Sequence, residues 1–212
     1  MKLYDYQGAP HPRRVHIYLA EKGIDVPRER IDIATGQSRV PDFLKKNPVG
    51  SVPVLELDDG TCISESIAIC RYFEALHPDP PLFGITPLEI ATIEMWLRRV
   101  ELSLMTPVGM VWINDHPLTA AMFEQNKAAG DQGRARAQMG YKVFDDQLAE
   151  TTFIAGDDYT VADAVGLATI DFAVDLVGVP YSEDMTNLKR WHEMVSARPS
   201  AAGKLGAAFT VD

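Results

Sequence analysis

The stretch "NPVGSVPVLELDDGTCIS", residues 47–64, decides the fold of the first part of this chain. Two short apolar runs in it are separated by Asp59-Gly60, a pair that is typical of tight hairpin turns. The stretch therefore predicts two short strands joined by a turn. The segment "SESIAICRYFEALH" then places apolar residues at helical spacing behind Ser64, a candidate N-cap, and predicts a helix.

Strands and helices also alternate before the hairpin. The segments "KLYDY", "RRVHIYLAEKG", "RERIDI" and "PDFLKKN" predict a strand, a helix, a strand and a short helix in that order. The longer helix is expected to start near Pro12 and to end at Gly23, and the short one opens at Pro41. The first part of the chain therefore has the predicted order βαβαββα.

The second part of the chain is predicted to be helical throughout. The segment "HPDPPLFGITP" is rich in proline and predicts a linker at residues 79–86. We expect an α/β domain at residues 1–78 before this linker and an all-α domain at residues 87–212 after it.

Three local signals stand out in the helical part. Pro107 lies inside a long helical pattern and predicts a kink, because proline removes a backbone donor. Thr160 and Asp163 have the spacing of a capping box, which indicates a role in stability rather than in chemistry. A further helix is predicted from "AAMFEQNKAAGDQGRARAQMGYKVFDDQLAET", between Pro107 and Thr160. It is expected to be softened by three glycines, Gly130, Gly133 and Gly140.

Composition excludes several classes of function. The 212 residues are 46% hydrophobic, which is enough for packed cores. The formal net charge of −10 argues against a nucleic-acid partner. No apolar run is long enough for a signal peptide or a membrane span. The two cysteines, Cys62 and Cys70, lack the spacing of a metal or redox motif, so we expect a cytoplasmic protein without a metal site.

Three separated segments carry a resemblance to a known family: "NPVGSVPVLELDDG", "SESIAICRYFEALHP" and "YTVADAVGLATIDF". In this order they resemble the cytosolic glutathione transferases, and the resemblance extends over essentially the whole chain. The segments "RRVHIYLAEKGI" and "RRVELSLMTPVGMVW" resemble an atypical group from bacteria and fungi. The resemblance implies a thioredoxin-like domain followed by an all-α domain, and a homodimer. It also implies an enzyme that adds the thiolate of glutathione, its co-substrate, to electrophilic hydrophobic compounds.

The resemblance assigns the cysteinyl part of glutathione to Val52 and Pro53. The peptide bond between them is expected to be cis, and the N–H and C=O of Val52 would bind the tripeptide like an added strand. The alternative is an ordinary trans proline at the border of a strand. Ser51 takes a position that the family often fills with a ligand-binding glutamine.

The two charged ends of glutathione are assigned to other residues. Ser66 and nearby amides at the start of a helix would bind the γ-glutamyl carboxylate, and Glu65 its ammonium group. Alternatively, Glu65 and its neighbours only cap the helix. Arg39 would bind the glycine carboxylate, or it is a solvated surface arginine.

The group that activates the thiol is missing from its usual places. Ala9 stands where serine-type members have their hydroxyl, and Asp5 falls on the tyrosine position. The N-terminus of the first helix would favour a thiolate through unpaired amides and the helix dipole. His11 is the titratable side chain of this loop and is the tentative catalytic residue, with positive potential from Arg13 and Arg14. A surface histidine is the alternative.

In the atypical group, activation is attributed to a serine and a histidine on the first long helix of the second domain. Those positions hold Gly109 and Ile113 here, so that pair is absent too. Asn114 and His116 lie just beyond and are possible substitutes. Tyr6 offers another hydroxyl, although its ring is expected to pack.

A wall for the hydrophobic substrate is expected on the same helix. It would consist of adaptable methionines, a flat aromatic ring and their neighbours: Met105, Val108, Trp112 and His116, together with Met110. Core packing is the alternative for each of them, because both patterns follow helical spacing.

Two other functions remain open on the same scaffold. A glutathione-dependent reductase or lyase is disfavoured because no cysteine lies near Ala9. A non-catalytic glutathione-binding or structural protein is favoured by the absence of a side chain that could activate the thiol.

Overall fold

The computed structural model describes residues 1–6 and 8–202 and divides into two compact units. Unit 1 contains residues 1–82 together with the described residues 199–202, and unit 2 contains residues 83–198. The linker expected at residues 79–86 is therefore shared between the units. The last described residues belong to unit 1, whereas the sequence-based division assigned them to the helical domain.

Unit 1 is built on a four-stranded mixed sheet. Its strands are β1 (Lys2–Asp5), β2 (Arg28–Arg30), β3 (Val54–Glu56) and β4 (Cys62–Ser64). Their order is β2-β1-β3-β4; β1 and β2 are parallel, and the other pairs are antiparallel. The helices are α1 (Pro10–Lys22), α2 (Pro41–Lys46) and α3 (Ser66–Leu76). The predicted order βαβαββα is confirmed.

Two helix starts in unit 1 differ from the prediction. Helix α1 begins at Pro10 rather than near Pro12, because proline is well accommodated in the first helical turn. Helix α3 is preceded by Glu65 as the N-cap residue, not Ser64, and no side chain caps it. The predicted end of α1 is confirmed, with Gly23 in the left-handed conformation at φ 64°.

Unit 2 is helical. Its helices are α4 (Pro87–Arg99), α5 (Thr106–Asp115), α6 (Lys127–Glu150), α7 (Val161–Asp171) and α8 (Thr186–Ser196). A π-helical segment, Val100–Met105, joins α4 to α5 without a break. It lies immediately before Pro107, which lacks the N–H that would bond to the carbonyl of Ser103. The expected irregularity is therefore present as a wide turn that precedes the proline.

The glycines of α6 allow close helix packing. A Cβ at Gly133 would lie 2.7 Å from the carbonyl oxygen of Pro107, and one at Gly140 would overlap the carbonyl oxygen of Ser103. Helix α6 continues unbroken through all three glycines over its 24 residues. The expected softening is therefore wrong, because neighbouring backbone leaves no room for a side chain at Gly133 and Gly140, and the side chain of Asp115 occupies this space at Gly130.

Helix α7 begins with the predicted capping box. Thr160 is the N-cap, and the carboxylate of Asp163 accepts hydrogen bonds from the backbone of Thr160 and Ile154 and from the indole of Trp191. Burial raises the pKa of Asp163 to about 6 against the opposing effect of these donors. Helix α7 is buried along its whole length. Within the described residues, no helix combines the length and hydropathy needed to cross a membrane.

Candidate glutathione site

The loop before β3 is held from inside by Asn47. Its fully buried side chain donates to the carbonyl oxygen of Ser51 at 2.8 Å and to the hydroxyl of Ser51 at 3.1 Å. Its amide oxygen accepts from the N–H of Val49 at 3.1 Å. Asn47 belongs to the motif at residues 47–64, but the sequence predicts no role for it. The signal available was a polar residue in front of a proline within an otherwise apolar stretch.

Arg39 braces the same loop from outside. Its guanidinium Nη1 donates to the carbonyl oxygen of Val49 at 2.8 Å. The chain passes beneath it at Gly50, which has φ 65° and whose added Cβ would lie 2.8 Å from Nη1. The side chain of Arg39 is exposed, so its remaining N–H groups can face a ligand. Arg39 was expected either to bind an anion or to be a solvated surface arginine. In the structure it holds the loop while its remaining N–H groups stay available to an anion.

Val52 combines a buried side chain with free backbone groups. The peptide bond between Val52 and Pro53 is cis, as the sequence predicts. The side chain of Val52 packs in an apolar cluster with Tyr6 and Ala9. No described residue hydrogen-bonds to the N–H or the C=O of Val52. An extended peptide can therefore add to this edge without displacing an existing partner.

The start of α3 lies next to this edge. In the antiparallel pairing of β3 and β4, Val54 faces Ser64, so the residues before β3 and the residues after β4 leave the hairpin at the same end. Glu65 has φ 69° and ψ 119°, a backbone conformation that residues other than glycine rarely adopt. No side chain caps the helix, and no described residue accepts a hydrogen bond from the N–H groups of Ser66, Ile67 and Ala68. Such a terminus is suited to bind a carboxylate.

The polar groups at this corner differ in accessibility. Glu65 is exposed, whereas Ser66 is only 4% exposed. The hydroxyl and the carbonyl of Ser51 both accept from Asn47, so the hydroxyl already serves the loop. The alternative in which Glu65 only caps the helix is not supported, because its side chain makes no cap hydrogen bond.

The first turn of α1 offers fewer amides than expected. Its first three residues are Pro10, His11 and Pro12, and only His11 has an N–H group. The N–H of Ala9 donates to Tyr6, and that of Arg13 donates to Ala9. Ala9 itself is buried in the same apolar cluster as Val52, so the helix start lies beside the peptide edge. The expected row of unpaired amides is therefore reduced to at most one.

His11 and Arg14 provide the polar chemistry beside Ala9. Desolvation, and secondarily the charge of Arg14, lower the pKa of His11 to about 3, so its imidazole is neutral at pH 7. The side chain of His11 is exposed and can contact a ligand. Arg14 is only 1% exposed. A neutral imidazole that is hard to protonate is a poor base but a competent hydrogen-bond donor.

Asp5 and Tyr6 are engaged on either side of β1. The carboxylate of Asp5 lies 2.5 Å from the imidazole of His16. The ring of Tyr6 packs at 2% exposure, and burial raises the pKa of its hydroxyl. Neither side chain is therefore placed to take the tyrosine role, and the expectation that the ring of Tyr6 packs is confirmed.

In unit 2, the expected substrate wall is only partly at the surface. Met105, Met110 and Trp112 are partly exposed, whereas Val108 is fully buried and contributes nothing to an open wall. The prediction that Val108 belongs to this wall is wrong, because the orientation of α5 places its side chain in the core. The indole of Trp112 lies 4.5 Å from the imidazole of His116, between ring centroids.

The possible substitutes for the missing serine and histidine are used locally. His116 accepts from the N–H of Leu118 at 3.3 Å, and burial lowers its pKa, so it is neutral at pH 7. Asn114 donates to the carbonyl of Met110 and accepts from the N–H of Asn126. Both side chains therefore hold the end of α5 and the chain that follows it.

Comparisons with known proteins identify the family of both halves of the chain. Family models for the glutathione S-transferase N-terminal and C-terminal domains match residues 9–76 and 103–199. Glutathione S-transferase 2 of Saccharomyces cerevisiae is 40% identical over 204 residues, covering 94% of this chain and 87% of the relative. The crystal structure of Gtt2 from the same yeast has a TM-score of 0.89 at 39% identity, covering 94% of this chain and 98% of that one.

A bacterial structure is similar to the same extent. A glutathione S-transferase domain-containing protein of Marinobacter aquaeolei has a TM-score of 0.88 at 38% identity, covering 94% of this chain and 99% of that one. The resemblance to a group from bacteria and fungi is thereby confirmed. With both halves of the chain matched by the family's domains and the whole chain by its enzymes, this protein belongs to the glutathione S-transferase family.

Proposed function

We propose that this protein binds glutathione on unit 1 and transfers its thiolate to electrophilic hydrophobic compounds, as a detoxifying enzyme. One observation carries the proposal: the unpaired backbone of Val52 and the uncapped start of α3 lie side by side. A peptide whose carboxylate sits at one end can satisfy both sets of groups at once.

The parts of glutathione are assigned to the site in order. The cysteinyl residue pairs with the N–H and C=O of Val52, ahead of Pro53. The γ-glutamyl carboxylate binds the hydroxyl and first-turn amides at Ser66, and its ammonium group binds Glu65. The glycine carboxylate binds the outer N–H groups of Arg39, whose inner N–H already holds Val49.

Thiol activation is assigned to His11 as a hydrogen-bond donor. The thiol loses its proton to solvent, and the neutral imidazole donates to the thiolate that remains. The buried charge of Arg14 contributes a favourable potential. The thiolate then forms a carbon–sulfur bond with the electrophile, and the leaving group departs with the electron pair. We do not assign His11 the role of general base, because its lowered pKa opposes protonation of the imidazole.

The hydrophobic substrate is assigned to the partly exposed side chains of unit 2. Met105 and Trp112 offer adaptable and flat apolar surface, and the imidazole of His116 lies 4.5 Å from the indole of Trp112 between ring centroids. Polarizable thioethers and flat aromatic rings each suit electrophiles of varied shape. We therefore expect broad rather than narrow selectivity for the second substrate.

We also propose a homodimer in the cytoplasm. Three apolar side chains lie seven residues apart on one face of the helix that runs from α4 into the π segment: Leu88, Met95 and Leu102, with exposures of 77%, 41% and 67%. Such a stripe is suited to pack against a second copy. The two cysteines are both free thiols, which fits a reducing compartment.

The central experiment is a titration of the thiol of bound glutathione, read as thiolate absorbance, in wild type and in His11→Ala. We expect the substitution to raise the thiol pKa and to slow turnover of a chlorinated nitrobenzene, while glutathione still binds. His77→Ala, an exposed histidine of the same unit, is the matched control and should change neither quantity. An unchanged thiol pKa in His11→Ala removes this residue from the mechanism.

Calorimetric titration with glutathione tests the binding assignment separately. Ser66→Ala should weaken binding about tenfold, as expected for the loss of a hydrogen bond to a charged group. Ser64→Ala, two residues earlier in β4, is the control and should leave the affinity unchanged. Equal affinities for wild type and Ser66→Ala would refute the assigned carboxylate site.

The second candidate function is glutathione binding without catalysis. It is favoured by one observation, the two prolines that leave α1 at most one amide beside Ala9. This candidate predicts normal glutathione affinity, an unshifted thiol pKa and no turnover. A reductase or lyase on the same scaffold would instead act on a disulfide or a glutathione conjugate, which the same assay detects with those substrates.

A further inference from the structure

Unit 2 contains a hydrogen-bonded row of three side chains that the glutathione assignments do not use. Asp171 ends α7, Tyr181 lies in the segment that follows, and His192 lies in α8. The hydroxyl of Tyr181 lies 3.1 Å from Nδ1 of His192, and Nε2 of the same ring lies 2.7 Å from Oδ1 of Asp171. A nucleophile, a base and a third group that orients the base are the arrangement on which acyl transfer depends.

The carboxylate decides which nitrogen of the imidazole carries the proton. A carboxylate only accepts, so Nε2 of the neutral ring donates to Asp171, and Nδ1 is left as an acceptor. The hydroxyl of Tyr181 therefore donates to Nδ1 of His192. In this tautomer the imidazole can take the phenol proton without turning.

Helix α6 fixes the segment that carries Tyr181. Three side chains on one face of α6 donate to three consecutive carbonyl oxygens immediately before this residue. The pairs are Arg134 with Gly178 at 3.1 Å, Tyr141 with Val179 at 2.8 Å and Gln138 with Pro180 at 2.8 Å. The ring of Tyr141 also packs edge-on against the ring of Tyr181, with 5.8 Å between centroids. A reactive side chain that is supported in this way keeps its geometry.

Solvent reaches the two residues that would exchange the proton. Tyr181 is partly exposed, and 19% of the side chain of His192 is exposed, whereas Asp171 is buried. A small molecule can therefore approach the pair from outside. A proton that the imidazole has taken up can leave to water.

The hydroxyl of Tyr181 depends on His192 for its activation. Burial, followed by three nearby carboxylates, raises the pKa of Tyr181. The carboxylates are those of Glu193, Glu183 and Asp171. The phenol therefore keeps its proton at pH 8 and becomes nucleophilic only as the imidazole removes it.

We propose that Tyr181 is an acylation site that accepts the acyl group of small uncharged aryl esters. The phenol oxygen forms a bond to the acyl carbon, the bond from that carbon to the aryl oxygen breaks, and the aryloxide leaves with the electron pair. The phenol proton passes to Nδ1 of His192 and then to water. Asp171 is a positioning residue, which holds the imidazolium while it exists.

The leaving group and the charge of the ester define this class. A nitrophenol is a stronger acid than the phenol of Tyr181, so the acyl group moves to the less acidic oxygen and the transfer is downhill. The three side chains serve the proton transfer and none donates to the oxyanion, so alkyl esters with poorer leaving groups should not react. The carboxylates of Glu183 and Glu193 disfavour anionic esters.

Exposure of the full-length protein to p-nitrophenyl acetate at pH 8, followed by digestion and mass spectrometry, tests the proposal. Acetyl-Tyr181 should form at least about a hundredfold faster than acetyl-Tyr72, because a positioned base contributes roughly 10²–10⁴ in rate. Tyr72 is also partly exposed, and no described histidine hydrogen-bonds to it. Glutathione is left out, so the result is independent of the proposed transferase reaction. Equal rates at the two tyrosines, or no acetyl group on Tyr181, would overturn the proposal.

Two variants locate the base. His192→Gln should slow acetylation of Tyr181 about a hundredfold, and Asp171→Asn at least about tenfold. Ser196→Ala, at an exposed position of the same helix, is the control and should leave the rate unchanged. Thermal unfolding checks that each variant is folded. A wild-type rate in folded His192→Gln contradicts the assignment.

The pH profile separates a base from a merely structural histidine. In wild type, acetylation of Tyr181 should stop rising once the imidazole is neutral. In His192→Gln it should keep rising with pH until the phenol itself ionises. The same profile in both proteins contradicts the role of His192. If a variant does not fold, the wild-type plateau and the ratio of Tyr181 to Tyr72 still decide.

Discussion

Replacing Asp163 with alanine should destabilise unit 2 without touching the glutathione site. The carboxylate is fully buried and accepts from the N–H of Ile154 at 2.9 Å, the N–H of Thr160 at 2.9 Å and the indole N–H of Trp191 at 2.8 Å. The substitution leaves all three donors without their acceptor. Because these donors come from a loop and two helices, the loss is shared by three parts of the unit.

The size of the effect follows from the number of stranded donors. Each buried unsatisfied donor costs about 1–3 kcal/mol, and partial hydration reduces the sum. The raised pKa of Asp163 shows that burying its charge also has a cost, which the substitution removes. We therefore expect the free energy of unfolding at pH 7 to fall by roughly 3 kcal/mol for Asp163→Ala.

Urea unfolding followed by circular dichroism and tryptophan fluorescence measures this loss. Asp158→Ala, an exposed aspartate close to the same helix start, is the control and should remain within about 0.5 kcal/mol of wild type. Thr160→Ala, which removes the cap hydroxyl alone, should cost about 1 kcal/mol. If Asp163→Ala unfolds at the wild-type urea concentration, the carboxylate does not organise this helix start and our reasoning is wrong.

Three further predictions concern the pH dependence of Asp163, the loop before β3 and a closely packed glycine. Because the pKa of Asp163 is raised to about 6 in the folded protein, its contribution to the free energy of unfolding is greatest below about pH 4. This contribution falls by as much as ~3 kcal/mol as the pH rises through 6. It is measured in urea as the difference between wild type and Asp163→Ala. Asn47→Ala should weaken glutathione binding in calorimetry at least about tenfold, because the Ser51–Val52 edge loses its internal support. Gly140→Ala should lower the free energy of unfolding, measured in urea, by about 1–3 kcal/mol, whereas Gly109→Ala, with open space around it, should be neutral or stabilising.

Local signals were sufficient to predict the elements of unit 1. The hairpin around Asp59-Gly60, the stop at Gly23 and the start at Pro41 each depend on a few neighbouring residues. The same holds for the capping box at Thr160 in unit 2. These features are readable because turn and cap chemistry is set by backbone conformation within one or two turns of chain.

Features that depend on distant neighbours were not predictable from the sequence. A glycine in α6 has the same local meaning wherever it occurs, and only the position of the π-helical segment Val100–Met105 shows that Gly140 admits no side chain. The brace from Arg39 to Val49 likewise joins residues whose approach depends on the path of the loop. The burial of Val108 depended on the phase of α5, which helical spacing leaves open.

The weakness of the helix-terminus argument, by contrast, was already present in the sequence. A helix that opens with Pro10, His11 and Pro12 has one N–H in its first three residues, whereas α3 opens with three. The two termini flank the same peptide edge, and they are therefore suited to different tasks. The start of α3 has the donors for a carboxylate, while the start of α1 is left with an imidazole and the buried charge of Arg14. A sulfur placed beside Ala9 consequently depends on side-chain chemistry far more than on the helix dipole, which is why the thiol pKa in His11→Ala is the decisive measurement.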